Sequence, residues 1–267
     1  MNKNLLCKSA FEHYPFGVIF SKKAPSNLDD INFDTDFCYF YFSPGLEDRC
    51  LLKRTGMCDG KTNAKRDFPD YKAYFEDDCK VMKHYTDGKV LSFVEPWAPP
   101  GIQSYIYTRK TALQSECQNY MLGCFDLVDD VSLAIARFKR MPHNALAPLP
   151  PLGSQEISDS WFNDAFQAFP NGLAVLQGQK ILYSNKHWDA PITTQEIHHL
   201  FKNHGFEIDD QVLLRSAAWI SNIETSSGQN YDIGIYGISL ENTVYQVLML
   251  RKTMRSATPP YWKALQV

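Results

Sequence analysis

The fold is decided by the stretch Ala10-Phe11-Glu12-His13-Tyr14-Pro15-Phe16-Gly17, which returns as Ala165-Phe166-Gln167-Ala168-Phe169-Pro170-Asn171-Gly172. Both copies place alanine, phenylalanine, an aromatic residue, proline and glycine at the same spacing. A short amphipathic segment precedes each copy, and an apolar segment with strand-like character follows it. The repeat therefore predicts one module that is used twice.

The composition suits two such modules. The chain has 267 residues, 44% of them apolar, which matches two domains of roughly 100–200 residues each. Its net charge is −3 and its basic residues are scattered, so we expect no direct contact with nucleic acid. No run approaches the roughly 18 apolar residues of a membrane span, and the first residues lead into a polar helix. We therefore expect no membrane contact and a cytoplasmic location.

The cysteines predict reduced thiols. They are odd in number, contain no CxxC pair and all lie in the first half of the chain, at positions Cys7, Cys38, Cys50, Cys58, Cys79, Cys117 and Cys124. Such a set does not describe a disulfide framework. Small buried apolar side chains are the expected role, and a redox or metal role for some of them is the alternative.

Periodicity and turn residues predict the elements of the first module. Pro15 ends an amphipathic helix, because proline lacks a backbone donor, and Asp87-Gly88 closes the longest helix. The predicted helices span 4–13, 46–54 and 68–85, and the predicted strands span 17–20, 37–42, 89–97, 102–113 and 119–127. This order buries one face of an antiparallel sheet under helices.

The second module and its connector follow the same reasoning. Predicted helices span 158–168 and 195–203, and predicted strands span 172–176, 180–183, 217–225, 230–239 and 243–252. Between the modules, residues 131–141 have the pattern of an amphipathic helix, followed by Pro142, Pro148, Pro150 and Pro151. Such a connector is either a semi-rigid spacer that fixes the geometry of the modules or a plain linker.

Several motifs together resemble a Per-ARNT-Sim (PAS) sensor domain over residues 6–132. They are Tyr14-Pro15-Phe16-Gly17-Val18-Ile19-Phe20, Gly60-Lys61-Thr62, the helix from Phe68 with Asp77-Asp78, Gly88-Lys89, Glu95-Pro96-Trp97 and Tyr107-Thr108-Arg109-Lys110-Thr111-Ala112-Leu113. Two features depart from the family pattern. The loop 22–36 is long, and Ser43-Pro44 stand where the family has an asparagine. The later Tyr183-Ser184-Asn185 is nearer to that pattern.

The resemblance implies an α+β fold of two PAS-like domains, each with an antiparallel five-stranded sheet and flanking helices. The expected boundaries are a first domain at 1–132, a helical and proline-rich linker at 133–157, a second and divergent domain at 158–254, and a tail or start of an output connector at 255–267. The closest examples in the family are bacterial domains that precede histidine kinases, diguanylate cyclases or helix-turn-helix transcription regulators.

Two apparent motifs do not carry their usual chemistry. Residues 56–62 have three residues between the glycines, where a phosphate-binding loop needs four after a buried strand. His187, His198, His199 and His204 lack the spacing of a recognised metal site. We therefore expect neither nucleotide hydrolysis nor a bound metal.

Cofactor chemistry known in the family is also not expected. His84 lies where some haem-binding PAS domains carry their iron ligand, but its place near a helix C-terminus suits an exposed residue. The sequence Asp48-Arg49-Cys50-Leu51 lacks the asparagine and phenylalanine of the flavin-binding light sensors. Which cofactor the chain holds, if any, is left open.

The residues expected at a ligand site are mostly aromatic. PAS-like geometry implies that the cavity is lined from Tyr39, Tyr41, Phe75, Cys79, Phe93, Trp97, Tyr105 and Tyr107. Such side chains bind small apolar or aromatic molecules. The sequence does not decide which residue of each alternating pair points inward, nor whether these side chains simply fill the core. In the second module we expect a filled core.

These observations favour a non-catalytic sensory or regulatory protein. In this hypothesis the first domain binds a small molecule, and the chain signals as a homodimer to an output domain or partner protein. An interaction scaffold with filled pockets is the alternative. A small-molecule enzyme is the third class and would need a titratable group with a perturbed pKa inside a cavity. No catalytic triad, paired catalytic carboxylates or cofactor fingerprint is present in the sequence.

Overall fold

The computed structural model describes residues 2–25, 37–50, 52–58, 71–97, 104–127, 138–149, 156–190, 192–225 and 228–253. Several sequence predictions lie outside these ranges. They concern the loop beyond residue 25, the glycine-lysine-threonine motif at 60–62, the turn at 99–101, the first part of the predicted connector helix and the tail at 255–267.

The first half forms a five-stranded antiparallel sheet with helices around it. Its elements are α1 (Lys3–Glu12), β1 (Val18–Lys23), β2 (Cys38–Phe42), α2 (Gly45–Cys50), α3 (Arg54–Met57), α4 (Tyr71–Met82), β3 (Leu91–Trp97), β4 (Ser104–Ser115) and β5 (Gln118–Leu127). The strands are ordered β2-β1-β5-β4-β3 across the sheet.

The second half forms a six-stranded antiparallel sheet. Its elements are β6 (Phe138–Pro142), α5 (Asp159–Ala168), β7 (Gly172–Gln177), β8 (Lys180–Ser184), α6 (Thr194–Asn203), α7 (Asp210–Arg215), β9 (Ser216–Glu224), β10 (Asn230–Leu240) and β11 (Thr243–Thr253). The order is β6-β9-β10-β11-β7-β8. Without β6, this is the order of the first sheet, so the α+β class is confirmed and both sheets share one topology.

Local sequence accounts for the first residues of the helices. Asn2, Ser158 and Asp209 cap α1, α5 and α7 with side-chain oxygens, and Thr193 with Glu196 forms a capping box at α6. Each cap satisfies backbone N–H groups that the helix itself leaves without partners. The predicted helices therefore begin within one residue of their expected positions wherever a cap is present.

Each sheet buries both of its faces. In β1, Val18 and Phe20 pack under α2, α3 and α4, whereas Ile19 points into a second core between the two sheets. In β11, Leu248 packs under α6 and α7, and Met249 points into the core between the sheets. We call this shared layer, which also contains α1 and α5, the central core.

The two copies of the sequence repeat meet each other in the central core. Phe11 and Phe166 have ring centroids 6.4 Å apart, and Tyr14 and Phe169 have centroids 5.6 Å apart. Helices α1 and α5 pack against each other. Equivalent residues in contact are the mark of a self-complementary interface, here formed within one chain.

Residues of each repeat also contact the other sheet. The Phe16 ring lies against Gly234 of β10, and Asn171 accepts a hydrogen bond from Arg109 of β4 at 2.6 Å. The Tyr236 hydroxyl donates to the carbonyl of Ala10 at 2.7 Å. The halves therefore interlock through specific contacts in addition to apolar packing.

Gly234 gives a direct test of this interlock. In a Gly234→Ala variant the new Cβ would lie 2.5 Å from Cζ of Phe16, so we expect a loss of about 1–3 kcal/mol in the free energy of unfolding, as overpacking costs. Urea unfolding measures it. Gly56→Ala is the control, because no atom lies within 4 Å of its added Cβ. Equal stability of the two variants would contradict the tight Phe16 contact.

Ser43 and Asn185 occupy equivalent positions after the second strand of each sheet and make the same two backbone bonds. Ile19 N–H donates to Ser43 Oγ at 2.9 Å, and Ser43 N–H donates to the Ile19 carbonyl at 2.8 Å. In the second sheet Leu173 and Asn185 make the same two bonds at 2.9 and 3.0 Å. The Asn185 amide also donates to two carbonyls at 3.2 and 2.8 Å, whereas a serine hydroxyl has only one hydrogen to donate.

We expect these two positions to differ in their contribution to stability. Asn185→Ala should cost about 2–3 kcal/mol, because it leaves several buried backbone groups without partners, and Ser43→Ala about 1 kcal/mol. Thermal and urea unfolding compare them. Asn185→Ser is the matched control, since it reproduces the arrangement of the first sheet, and it should fall between wild type and Asn185→Ala. A larger loss for Ser43→Ala would contradict this ranking.

One predicted element is wrong. Residues 138–141, expected as the end of a connector helix, form β6 together with Pro142. This strand pairs antiparallel with β9 from Phe138↔Ile220 to Pro142↔Ser216, so the second sheet has six strands where five were predicted. This pairing covers the edge of β9, whose backbone groups would otherwise be open. Helix α7 was not predicted, and the expected helix at 46–54 is divided into α2 and α3.

Candidate functional site

A small cavity lies between the first sheet and its helices. Its volume is about 20 Å³, which is room for about one water molecule. The lining combines aromatic and charged side chains: Phe20, Lys22, Tyr39, Phe42, Tyr74, Glu95, Ile106, Lys110 and Phe125.

A buried cluster of four charges forms one wall of this cavity. Lys22 Nζ lies 2.5 Å from Asp78 Oδ2, and Lys110 Nζ lies 2.7 Å from Asp78 Oδ1 and 2.5 Å from Glu95 Oε1. None of the four side chains is more than 4% exposed. The cluster is therefore a neutral chain of alternating charges, Lys22–Asp78–Lys110–Glu95.

Strand and helix geometry places these side chains together. Successive strand residues point to opposite faces, so Lys22 shares the cavity face with Phe20 in β1. In β4, Lys110 shares that face with Ile106. On α4, Asp78 follows Tyr74 by four residues and so lies on the same side of the helix. Strands β1 and β4 and helix α4 therefore direct Lys22, Lys110 and Asp78 toward one point.

Burial and the neighbouring charges together shift the pKa values of Lys22, Asp78 and Lys110. Burial lowers the pKa of Lys22, although Asp78 opposes this change. Burial would raise the pKa of Asp78, but Lys110 and Lys22 outweigh it and hold the value below normal. For Lys110, burial is outweighed by Asp78 and Glu95, which raise its pKa. Asp78 and Lys110 are therefore charged at neutral pH, and of these three groups Lys22 is the one whose pKa moves toward neutrality.

The two ends of the chain of charges have hydrogen-bonding capacity to spare. Among the described residues, Lys22 contacts one carboxylate and lies 4.9 Å from the Tyr39 ring centroid. Glu95 contacts one ammonium group through Oε1. An ammonium group carries three donors and a carboxylate has about four acceptor positions. A ligand with one acceptor and one donor can therefore bind both ends without breaking the cluster.

The structure locates most of the predicted site residues. Tyr39 lines the cavity, and Phe75, Cys79 and Phe93 pack against the core beneath it. Tyr41 faces the opposite way, into the central core.

Tyr107 also lies on the face of β4 opposite the cavity, with its ring 6.0 Å from the guanidinium of Arg251. The side chains of Trp97 and Tyr105 lie outside the described part of the structure.

Sequence reasoning by residue type overlooked the charged cluster. It selected aromatic side chains, whereas Lys22, Asp78, Glu95 and Lys110 make the polar contacts. The alternation of side chains along β1 could have revealed one of these residues. In β1, the series Val18, Phe20, Lys22 places a lysine on the face of the buried side chains.

Burial keeps two of the thiols protonated. Burial raises the pKa of Cys7 to about 12 and that of Cys79 to about 11. A raised pKa reduces the thiolate that reacts with electrophiles and metals. None of the seven cysteines, all of which lie in the described ranges, forms a disulfide bond.

The histidines do not form a metal site in the part of the chain that the structure describes, where no group of three or more potential ligands occurs. His204 stacks on Phe138 with ring centroids 5.4 Å apart. His84 lies in the turn two residues after α4 and contacts Asp87 at 3.4 Å. Within the described ranges, none of the helices combines the length and the apolar character needed to cross a membrane.

Comparisons with known proteins give only distant likenesses. No family model and no curated protein matches the chain. Among solved structures, it is similar to an RNA-binding light-oxygen-voltage receptor at 8% identity and a TM-score of 0.27, covering 88% of this chain and 95% of that one. It is also similar to methyl-accepting chemotaxis protein X at 12% identity and a TM-score of 0.22, covering 94% and 80%.

Proposed function

We propose that the protein is a non-catalytic sensory or regulatory protein with two PAS-type units, and that the first unit binds a small molecule at the charged cluster. The observation that carries this proposal is the Lys22–Asp78–Lys110–Glu95 cluster on the wall of a cavity. The shared strand order of the two sheets supports the two-unit architecture.

Burying four charges has a high desolvation cost, so the cluster is weak evidence for a role in stability alone. Apolar side chains of similar volume often stabilise a core as well as a buried ion pair does, or better. The second sheet illustrates the apolar solution. Ile19 and Leu173 are equivalent, because each makes the same bonds to the neighbouring strand. Lys22 and Leu176 lie three residues after them and therefore occupy equivalent positions in the two sheets. Leu176 packs into an apolar core. The first unit therefore has a buried charge at a position where the second unit, with the same strand order, has an apolar side chain.

The cluster indicates what the ligand must present. It needs one acceptor for Lys22 and one donor for Glu95, on a body small or flat enough to lie among Phe20, Tyr39 and Phe42. Because the cavity holds about one water molecule, binding requires the surrounding side chains to move apart. That movement is the change that a sensor would transmit.

An interaction scaffold is the second candidate, and the small volume of the cavity favours it. In that case the cluster is a structural feature and partners bind elsewhere. The homodimer predicted from the sequence stays a prediction. Both sheets and both N-terminal helices already pack on each other within one chain, so a homodimer would use other surfaces.

Native mass spectrometry of the purified protein tests the proposal. We expect wild type and Lys23→Met, the control at the neighbouring position, to retain a small molecule that Lys22→Met loses. The released molecule should have the same mass before and after prolonged incubation, as expected for a protein without catalytic activity. An empty wild-type protein that is also not stabilised by any member of a metabolite library would favour the scaffold.

A further inference from the structure

Two histidines lie where the first helix meets the second unit. His13 directly follows α1, and His143 directly follows β6. Their ring centroids are 6.1 Å apart and the rings are nearly perpendicular, at 85°. One histidine therefore belongs to the first unit and the other to the segment that completes the second sheet, and their rings meet across the contact between the units.

His143 is held in place by the second unit. Its Nε2 bonds to the carbonyl oxygen of Gly237 in β10 at 2.7 Å, and its backbone N–H donates to the carbonyl of Arg215 at 3.2 Å. Because a carbonyl oxygen can only accept, Nε2 carries the hydrogen, and a proton taken up by this ring binds at Nδ1. The ring centroid also lies 5.7 Å from that of Tyr236, whose hydroxyl donates to the Ala10 carbonyl in α1 at 2.7 Å. The histidine pair is therefore part of the contact between α1 and β10.

The surroundings of the pair offer little to balance a positive charge. The titratable and charged groups on the elements around it are Lys3, Cys7, Lys8 and Glu12 of α1, Tyr14 after α1, Lys139 and Arg140 of β6, Asp159 and Asp164 of α5, Asp210 and Arg215 of α7, and Tyr231, Asp232 and Tyr236 of β10. Most of these carboxylates already have a partner: Glu12 with Arg54, Asp159 with Lys8, Asp164 with Ser115 and Asp232 with Arg251.

Both rings are neutral at pH 7 in the folded protein. Burial and then the nearby His143 lower the pKa of His13 from its ordinary 6.5 to about 4. Burial also lowers the pKa of His143, although the bond to Gly237 opposes this change. The carbonyl end of α1 favours a cation at His13, but desolvation and the like charge of a protonated neighbour outweigh it. The two rings therefore pack as an uncharged pair.

We propose that this histidine pair makes the contact between the units sensitive to acid. Above about pH 6.5 the rings are neutral whether α1 is docked or released, so the pair has no effect on the equilibrium between these forms. As the pH falls from 6.5 toward 4, a released ring takes up a proton that the docked ring does not, which favours release of α1 from the second sheet. Protons are thus a second input to the protein, which does not depend on ligand binding at the charged cluster.

NMR titration of the histidine rings and hydrogen exchange of the full chain test the proposal. We expect His13 of wild type to titrate at least about one pH unit below an ordinary histidine. In His143→Gln it should titrate at a higher pH, because the repulsion is removed. Between pH 7 and pH 5, the protection of α1, corrected for intrinsic exchange rates, should fall about tenfold or more in wild type and less than about threefold in His13→Gln.

His198→Gln is the matched control. His198 is a half-buried imidazole on α6 whose pKa is also lowered by burial, but it lies outside the pair. Its removal should leave the acid response of α1 as in wild type. If His143→Gln fails to fold, the exchange comparison of wild type with His13→Gln still decides the question.

Three results would overturn the proposal. The first is a wild-type His13 that titrates near 6.5, its ordinary pKa. The second is an equal acid response of α1 in wild type and His13→Gln, because the loss of protection would then arise elsewhere. The third is a pKa of His13 that stays unchanged in a folded His143→Gln, because the two rings would then titrate independently.

Discussion

Replacing Lys110 by methionine is expected to lower the free energy of unfolding by about 3–5 kcal/mol, the cost of removing one partner from a buried ion pair. Lys110 is the shared cation of the cluster, with Asp78 at 2.7 Å and Glu95 at 2.5 Å. In the variant Asp78 retains Lys22, but Glu95 has lost the ammonium group that balances it. Urea unfolding followed by fluorescence measures the loss.

Two further variants separate charge balance from packing. Lys80→Met removes a lysine that is 58% exposed and paired with Asp77, and it should cost under about 1 kcal/mol. Adding Glu95→Gln to Lys110→Met should recover part of the stability, because it removes the carboxylate that the first change leaves unpaired. If the second change instead adds its own full cost, the cluster is not coupled as its distances imply.

Local patterns predicted much of the fold because its elements are delimited locally. Pro15 ends α1, the capping residues start α5 and α6, and Glu241-Asn242 adopt the positive φ values of 49° and 62° of a tight hairpin turn. The predicted connector helix failed at β6, because a short segment of mixed polarity takes the structure of the edge it meets. That edge belongs to a strand some eighty residues later in the chain, which local pattern cannot reveal.

The candidate site was predictable only in part for a related reason. Alternation would have revealed Lys22 once one residue of β1 was assigned to a face, but it places Tyr39 and Tyr41 on the same face. The structure separates the two tyrosines because the pairing of β1 with β2 shifts register between Ser21 and Lys22, which leaves one extra residue in β2. The partnership of Lys22 and Lys110 through Asp78 was not predictable, because it joins three elements that are distant in sequence. The meeting of the two repeats in the central core depends on the same kind of long-range contact.

Strand β4 links the cavity to the contact between the units. Lys110 faces the charged cluster, and Arg109, its neighbour, faces Asn171. A shift of this strand on one face therefore changes contacts on the other. This link can carry a change from one unit to the other only if the stabilities of the two units are coupled. The central core, which both units share, makes such coupling possible.

Phe11→Ala tests that joint response and is expected to cost about 3–5 kcal/mol, as for a large buried aromatic side chain. Phe11 is fully buried, and its ring lies 5.3–6.4 Å from the rings of Tyr41, Phe162, Phe166 and Phe169. Because these partners belong to both halves, the lost packing should lower hydrogen-exchange protection in both sheets together.

Phe201→Ala is the matched control for the Phe11 variant. Phe201 is equally buried but packs under the second sheet, away from the central core. We expect a similar cost, with the loss of protection concentrated in β7 to β11. If Phe11→Ala instead affected the first sheet alone, the halves would unfold independently, and the central core would hold them together without coupling them. Loss of protection in both sheets would mean that a change at the cluster in the first unit can reach the second.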